Sequence, residues 1–300
     1  MTKRIVQRIG GIHRWRPAPL VLASLTLHLT CMVALTVRPD LWRWMLGVLA
    51  ANHLVLLAVV LWPRSSLLGP NLTRLPGSAA ECGQVALTFD DGPDPAVTPQ
   101  VLDLLDQYQA KASFFCIGAN AAAHPDIVRD IIRRGHSVEN HSYCHSHAFA
   151  LYGFFRLRRE VGRAQSVIAG IAGRAPAFFR APAGFRSPFL DPVLTRLGLR
   201  YISWTRRGFD TVSRDPAQVL QRLVHGLAAG DVLLLHDGSS AHTAAGAPLV
   251  LPVLRGLLEQ LAACGLASVA LPTACNASLP AQDTAAADSN HHPEREHQHA

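Results

Sequence analysis

Two adjacent carboxylates, Asp90 and Asp91, directly follow an apolar run that begins at Val85. The run is rich in strand-forming residues and stops at Gly92-Pro93, a pattern typical of a buried strand that ends at the mouth of an α/β domain. Neighbouring carboxylates repel each other, and a bound metal ion would offset that repulsion. The alternative is a plain turn, because Asp-Gly and Gly-Pro are common turn sequences. The stretch by itself is compatible with both.

Two histidines, His141 and His145, follow the strand-like run 137–139. A spacing of four residues places both imidazoles on one side of a helical turn or tight loop, as two ligands of one ion require. The alternative is a solvated histidine-rich loop. With Asp91 as a third ligand, the set leaves one position open for water, which is typical of a catalytic zinc site. Zinc is the expected ion, and the same ligands also accept cobalt, nickel or manganese.

Two more polar side chains end apolar runs further along the chain. Arg180 follows Phe178-Phe179, and His236 ends the continuous apolar run 232–236. If these runs are parallel strands, their carboxyl ends meet at one edge, where ligands and catalytic groups usually lie. Each residue also has a purely structural interpretation, because an arginine can end a strand at the surface and a histidine can be buried for packing. The convergence of several such strand ends favours a site.

Taken in order, five segments resemble the motifs of the polysaccharide deacetylases of the NodB-homology type, carbohydrate esterase family 4. They read Thr88-Phe89-Asp90-Asp91-Gly92, His141-Ser142-Tyr143-Cys144-His145, Phe178-Phe179-Arg180-Ala181-Pro182-Ala183-Gly184, Trp204-Thr205-Arg206-Arg207-Gly208-Phe209-Asp210 and Asp231-Val232-Leu233-Leu234-Leu235-His236-Asp237-Gly238. The resemblance covers roughly residues 84–272. It implies an irregular (β/α) barrel and an enzyme that removes N- or O-linked acetyl groups from sugars, a hydrolase of non-peptide carbon–nitrogen bonds.

The resemblance assigns a role to each residue of the first motifs. Asp91, His141 and His145 hold the metal ion, and Asp90 is the general base that takes a proton from water. Arg180 orients the Asp90 carboxylate. The two adjacent carboxylates therefore have separate roles, since the cation fixes one in its ionised form while the other stays free to accept a proton.

The remaining roles concern the acyl group and the leaving amine. The backbone N–H of Ala183 helps to hold the oxyanion, and Leu234 or Leu235 lines the pocket for the acetyl methyl group. His236 protonates the leaving amine. Ala183 stands where the family usually has an aromatic residue, so one wall of the sugar groove is missing and a long-polymer substrate is in doubt.

The fourth segment departs most from the family pattern. Trp204 and Asp210 are present, but the common Asp-x-x-Asp-Trp form is absent. Asp210 would pair with His236 and raise its pKa, or it could be a loop carboxylate paired with Arg206 or Arg207. Both arginines are expected to face the catalytic edge, where they could bind a phosphate group.

Strand-like and helix-like runs alternate through the region that carries these motifs. This alternation implies a parallel sheet, and about seven units favour a closed or nearly closed barrel. The strands are expected at 85–89, 112–117, 137–139, 177–180, 201–204, 232–236 and 267–271. The helices are expected at 98–108, 124–134, 155–172, 188–197, 216–229 and 248–264.

The N-terminal region predicts a membrane anchor. Two apolar runs, 20–37 and 44–62, are each close to the ~20 residues of a spanning helix, and they favour a two-helix hairpin over 18–63. A cleaved signal peptide is the alternative for the first run. Five basic residues precede the first span, which favours a catalytic domain on the cytoplasmic side of the inner (cell) membrane. The expected order is a basic segment 1–17, the two spans, a linker 64–83, the deacetylase domain 84–273 and a disordered tail 274–300.

Composition narrows the classes of partner. The net charge of +7 is spread out and concentrated partly before the first span, so nucleic-acid binding is not expected. The six cysteines contain no CxxC pair and do not form the pattern of a disulfide framework. No feature of the sequence indicates an oligomeric state.

The sequence therefore predicts a metal-dependent hydrolase that removes N-acetyl or related acyl groups from a sugar or polysaccharide. An alternative substrate is a polyprenyl-phosphate-linked or other membrane-associated sugar, from which the enzyme would remove an acyl or formyl group. The membrane hairpin, the arginine pair and the alanine at 183 favour that alternative. A catalytically inactive, membrane-anchored sugar-binding module is disfavoured, because every metal and acid–base position is present.

Overall fold

A computed structural model describes residues 15–276. Two apolar helices come first, α1 at Pro19–Val37 and α2 at Trp42–Val60, joined by a single 3-10 turn at Pro39–Leu41. Most of the basic segment expected at 1–17, and the tail expected at 274–300 apart from its first three residues, lie outside the described residues. Those first three residues belong to the last helix of the domain rather than to a tail.

Eight strands form one parallel, curled sheet, which confirms the expected (β/α) barrel class. The spatial order is β5-β4-β3-β2-β1-β7-β6, and β8 pairs with the start of β1. The strands are β1 Gln84–Asp90, β2 Ala112–Cys116, β3 Ser137–Asn140, β4 Phe178–Phe179, β5 Arg200–Tyr201, β6 Arg206–Arg207, β7 Val232–His236 and β8 Ala267–Ser268. The short strand β6 was not predicted, and the strands expected at 177–180, 201–204 and 267–271 are reduced to two residues each.

Helices cover the outer face of this sheet. Proline in the first turn begins several of them, because its missing N–H would be unpaired there in any case. The helices are α3 Gly77–Glu81, α4 Thr98–Gln107, α5 Gly118–Ala123, α6 Pro125–Arg133, α7 Phe154–Ala172, α8 Leu190–Leu197, α9 Pro216–Val224, α10 Val250–Ala263 and α11 Leu271–Asn276. All six helices predicted within the domain are present, whereas α3, α5 and α11 were not predicted.

Side chains of β1 alternate between two cores. Val85, Leu87 and Phe89 pack outward against the helices, whereas Ala86 packs inside the barrel. Because successive side chains of a strand point to opposite faces, Thr88 and Asp90 also point inward. The strand that is apolar for packing therefore carries its polar groups on the inner face, at its carboxyl end.

The segment 64–83, expected as a linker, is part of the barrel wall. The backbone N–H of Leu72 donates to Tyr201 at 3.1 Å, and the N–H of Ser203 donates to Leu72 at 3.0 Å. Two residues on, Arg74 forms a bridge with Asp231 beside β7. This strip lies between the two edges of the sheet and pairs backbone groups that would otherwise be exposed at those edges.

Candidate active site

Strand register brings the proposed base and the proposed acid together. Asp90 of β1 is the direct partner of His236 of β7, and both side chains belong to the inner face of the barrel. Arg180, which follows β4, reaches across the interior and donates from Nη1 to Asp90 Oδ1 at 2.6 Å. The same guanidinium donates to Thr88 Oγ1 and to the Ser203 carbonyl, each at 2.9 Å. One oxygen of Asp90 is thereby fixed, and Oδ2 is left facing the cavity.

The three predicted metal ligands converge on one point. The Nε2 atoms of His141 and His145 lie 3.3 and 3.1 Å from Asp91 Oδ1. Ligand atoms about 2.1 Å from a tetrahedral zinc ion are about 3.4 Å apart, so these separations fit such an ion. Asp91 Oδ1 is buried and has no hydrogen-bond partner among the described residues, as expected of an oxygen that a cation would satisfy.

The surroundings of His141 prepare it as a ligand. Its Nδ1 lies 2.9 Å from the carbonyl oxygen of Arg180, and a carbonyl can only accept, so Nδ1 carries the proton. The Nε2 lone pair is then directed at the metal position, which is the usual arrangement around a ligating histidine. Arg180 thus supports the site twice, with its side chain on the base and its backbone on a ligand.

Left-handed backbone turns aim the ligands. Asp91, Ser142 and His145 have φ values of 71°, 64° and 49°, which are uncommon for residues other than glycine. Two amide side chains hold these turns: Asn120 donates to the Asp91 carbonyl at 2.9 Å, and Asn140 accepts from the Ser142 N–H at 3.0 Å. Sequence reasoning missed both asparagines, although the position of Asn140 next to His141 was a usable signal.

The electrostatics of the cluster favour a cation. Burial opposes ionisation of Asp91, but the positive charges that His141 and His145 can carry hold the pKa of that carboxyl well below its usual range. Burial lowers the pKa of His145 to about 4, and the neighbouring His141 adds to this effect, so the imidazole is neutral at pH 7. Burial also opposes protonation of His141, yet Asp90 and Asp91 raise its pKa. The acidic pair therefore attracts one positive charge to this position.

His236 and Asp210 form the expected pair. His236 Nδ1 lies 2.9 Å from Asp210 Oδ1, and the backbone N–H of His236 donates to Asp210 Oδ2 at 2.7 Å. Burial opposes protonation of His236, but the hydrogen bond and charge of Asp210 raise its pKa above the usual value. Asp210 is therefore the partner of His236. The second ring nitrogen of His236, Nε2, is the one available to a substrate.

Of the two leucines considered for the methyl pocket only Leu234 qualifies, and the expectation for Arg206 is wrong. Leu235 packs in the outer core with the helices, because it has the opposite parity to His236 along β7. Leu234 lines the cavity instead. Arg206 does not face the mouth, since it pairs with Asp231 and donates to the carbonyls of His225 and Gly226. Arg207 has the alternate parity and lines the cavity.

The polar groups surround a cavity of about 310 Å³ at the carboxyl ends of the strands. Trp204 forms one wall, and Ala183, with φ of 54°, lies exposed at the rim. Next to it, Gly184 has φ of 78°, and a Cβ there would come within 2.6 Å of the Trp204 ring. A residue with a side chain would therefore displace that wall. The cavity also contains Asp90, Asp91, His141, His145, His147, Thr211, His236 and Ser239.

Comparison with known proteins identifies the class. The family model for polysaccharide deacetylase matches residues 77–202. A chitooligosaccharide deacetylase of Azorhizobium caulinodans is 33% identical over 65% of this chain and 98% of its own length. A peptidoglycan-N-acetylglucosamine deacetylase of Bacillus cereus is 32% identical over 57% of this chain and 81% of its own. The solved structure of the Bc1960 peptidoglycan N-acetylglucosamine deacetylase superposes with a TM-score of 0.62 at 28% identity, over 69% of this chain and 92% of that one.

The chain belongs to the polysaccharide deacetylase family. Membership confirms the resemblance carried by the five sequence motifs and the irregular (β/α) barrel that the resemblance implied. It also makes the chain a hydrolase of N-acetyl amide bonds.

Proposed function

We propose that this enzyme is a metal-dependent N-deacetylase of sugars that contain N-acetylglucosamine. One observation carries the proposal: three metal-ligating side chains, a fixed carboxylate and a paired histidine share one cavity. The sugar is the group named for the relatives from Azorhizobium caulinodans and Bacillus cereus, which act on chitooligosaccharide and on peptidoglycan N-acetylglucosamine.

Asp91, His141 and His145 would hold the metal ion, and zinc suits this ligand set best, with cobalt, nickel or manganese as alternatives. Such an ion supplies Lewis acidity and lowers the pKa of water. The Oδ2 atom of Asp90 accepts the proton of the attacking water, because Oδ1 is already hydrogen-bonded to Arg180. Carbon–oxygen bond formation at the acetyl carbon is then followed by cleavage of the carbon–nitrogen bond.

The leaving group is handled on the opposite side of the cavity. His236 gives the proton on Nε2 to the departing amine, and Asp210 stabilises the protonated imidazole beforehand. The N–H of Ala183 at the cavity rim is the donor proposed for the oxyanion. Leu234 lines the cavity where the acetyl methyl group would pack, and the sugar would stack against the Trp204 ring. The products are acetate and a free amino sugar.

We also propose that α1 and α2 anchor the enzyme in the inner (cell) membrane as two spans. Both helices are long and apolar enough to cross a bilayer. Leu25, Met32 and Leu54 are exposed, an arrangement that suits lipid rather than water. Between the helices, Asn52 donates to Ser24 at 2.9 Å, a polar contact typical of packed membrane helices. The catalytic domain would then lie on the cytoplasmic side.

Acetate release from penta-N-acetylchitopentaose tests the proposal. The metal-free full-length protein in detergent is expected to be inactive and to regain activity with stoichiometric zinc. His145→Ala should not respond to zinc, because one of three ligands is gone. Activity that survives complete metal removal would contradict metal dependence. Oligosaccharide binding without any acetate release would instead support a sugar-binding module.

A further inference from the structure

The end of the second apolar helix lies against the rim of the catalytic cavity. A Cβ on Gly184, which lines the cavity, would come within 2.9 Å of Pro63, three residues beyond the end of α2. The backbone N–H of Arg186 donates to the Val60 carbonyl at 3.4 Å, and Arg64 donates to the Thr205 carbonyl at 3.4 Å. The catalytic mouth is therefore built next to the helix pair rather than at a distance from it.

Contacts from both helices hold this arrangement. Val59 and Val60 near the end of α2, and Leu20 near the start of α1, pack with Leu68 and with Ala150 of the domain. Trp15, which precedes α1, donates to Asp191 at 2.9 Å, and Asp191 in turn pairs with Arg186 at 3.1 Å. The start of α1 and the end of α2 thus contact the same region of the domain, the loops that follow β3 and β4.

Large apolar side chains are exposed beside this region. Leu151, Phe155 and Phe189 are 83, 82 and 55% exposed, and we call them the apolar patch. Leu151 follows Ala150, which packs on the helix pair, and Phe189 lies three residues after Arg186. Ser187 donates to the Tyr152 carbonyl at 3.0 Å, so the loops that carry Leu151 and Phe189 lie side by side, next to the surface through which the hairpin meets the domain. Single exposed apolar residues are common on protein surfaces. Three large exposed apolar side chains beside the helix pair are less common and indicate an interaction surface.

Basic side chains accompany the apolar patch. Arg156, Arg158 and Arg159 are exposed in the first turns of α7, directly after the patch residue Phe155. Exposed Arg64 lies beyond the end of α2. Apolar side chains with flanking arginines suit the boundary between acyl chains and anionic headgroups. A lipid bilayer is thus the occupant that the chemistry of this surface fits.

We infer that the apolar patch rests on the bilayer that holds α1 and α2, so that the catalytic mouth opens at headgroup level and accepts N-acetyl sugars attached to a membrane lipid. The inference rests on the proposed deacetylase activity and deepens it by naming the substrate class. Arg207 supplies the matching charge in the cavity: among the described residues its buried Nε has no partner, while its guanidinium lies 5.5 Å from the Trp204 ring. A phosphate that joins sugar to lipid is the anion such a guanidinium binds.

The test uses the full-length protein in vesicles of phosphatidylcholine and phosphatidylglycerol. One probe is N-acetylglucosamine joined through a phosphodiester to a long alkyl chain and inserted in the same vesicles. The other is soluble penta-N-acetylchitopentaose. The patch variant is Leu151→Ser with Phe155→Ser and Phe189→Ser. Its matched control carries Leu151→Met, Phe155→Leu and Phe189→Leu, which keep the surface apolar. Acetate release is measured for both probes.

Wild type is expected to favour the membrane probe. The serine variant should lose about tenfold or more on that probe, since burying three apolar side chains in the interface stabilises docking by several times the 1.4 kcal/mol that tenfold represents. It should stay within about twofold of wild type on the soluble probe, as should the apolar control on both. Equal losses on the two probes, or no loss on the membrane probe, would overturn the inference while deacetylation stands. Release from neither probe by wild type would overturn the proposed function as well.

Discussion

The two adjacent carboxylates at the end of β1 differ in what their oxygens meet. Asp90 has one oxygen held by Arg180 at 2.6 Å and the other open to the cavity. Asp91 has one oxygen facing two imidazole nitrogens at 3.1 and 3.3 Å. A carboxylate oxygen that faces two imidazole nitrogens suits a metal ion, whereas a carboxylate held by an arginine beside the cavity suits proton transfer. Asp90 and Asp91 are the same residue type, so their different surroundings give them the separate proposed roles of base and metal ligand.

Removing the charge of Asp90 should therefore stop turnover without emptying the site. Asp90→Asn is expected to bind zinc stoichiometrically and to lose about 10²–10⁴-fold in kcat, the usual contribution of a general base. His141→Ala should lose both zinc and activity. Metal content and acetate release from penta-N-acetylchitopentaose give the two readouts. Asp103→Asn, a change to an exposed carboxylate on α4, is the control and should alter neither. An empty site in Asp90→Asn would show that Asp90 is a ligand.

The pair formed by His236 and Asp210 should set the alkaline limit of activity. The acid must be protonated, and Asp210 raises the pKa of His236 against the effect of burial. Asp210→Asn removes the charge, so the pKa of His236 falls and the alkaline limb of kcat/KM should move to lower pH, by about one unit or more. The pH profile measures this. Asp215→Asn, at an exposed helix start, should leave the limb in place. An unchanged limb in Asp210→Asn would remove His236 as the titrating acid.

At the scale of the element, alternation along strands explains both the successes and the errors of sequence reasoning. Long apolar runs such as β1 and β7 are visible in the sequence, so their polar last residues could be identified in advance. Which of Leu234 and Leu235 faces the cavity depends on parity, and the inward His236 fixes it in favour of Leu234. The same parity sends Arg206 away from the mouth.

Other elements carry no such signal. Strands β4, β5, β6 and β8 have two residues each, too few for a periodic pattern to be recognised. The segment 64–83 contains proline and glycine and was therefore predicted as a linker, yet Leu72 pairs with the sheet edge through backbone groups alone. Backbone pairing of this kind depends on tertiary position, and amino-acid type does not encode it.

The link between α4 and the end of β7 gives a prediction about stability. Thr98 is buried, and its hydroxyl accepts from the Asp94 N–H at 2.8 Å and donates to Asp237 Oδ2 at 2.6 Å. Thr98→Val should destabilise the domain by about 2–3 kcal/mol, because the buried Asp237 carboxyl and the partly buried Asp94 N–H lose their partner. The midpoint of thermal unfolding should fall by roughly 5–10 °C, and Thr98→Ser should restore most of it.

The pH dependence of that loss follows from Asp237. Burial raises the pKa of Asp237 to about 7, and the Thr98 hydrogen bond opposes the rise. Because the pKa of this carboxyl is higher in the folded than in the unfolded state, the free energy of unfolding falls as the pH increases through the folded-state pKa. Removing the hydroxyl raises the pKa further, so Thr98→Val should cost more at pH 8 than at pH 5.5. An equal loss at both values would mean that Asp237 does not ionise in this range.

At the scale of the whole molecule, the helix pair α1 and α2 packs directly against the barrel beside the cavity rim. Length and hydropathy were enough to predict the two apolar helices α1 and α2. They could not predict that Val60 and Pro63 would lie at the catalytic rim, because that contact depends on the loop after β4, far away in the chain. With α1 and α2 as the proposed spans, the orientation of the barrel relative to these helices would set where a substrate enters.

The side of the membrane on which the barrel lies is open to a direct test. Two spans return the chain to its starting side, and five basic residues before α1 favour the cytoplasm for both ends. A green fluorescent protein fused after residue 275 should fluoresce, and an alkaline phosphatase fused at the same place should be inactive. Fusions after Asp40, between the helices, should show the reverse pattern. Phosphatase activity after residue 275 would contradict this topology and move any lipid-linked substrate to the outer leaflet, because the cavity rim stays attached to the domain-side end of α2.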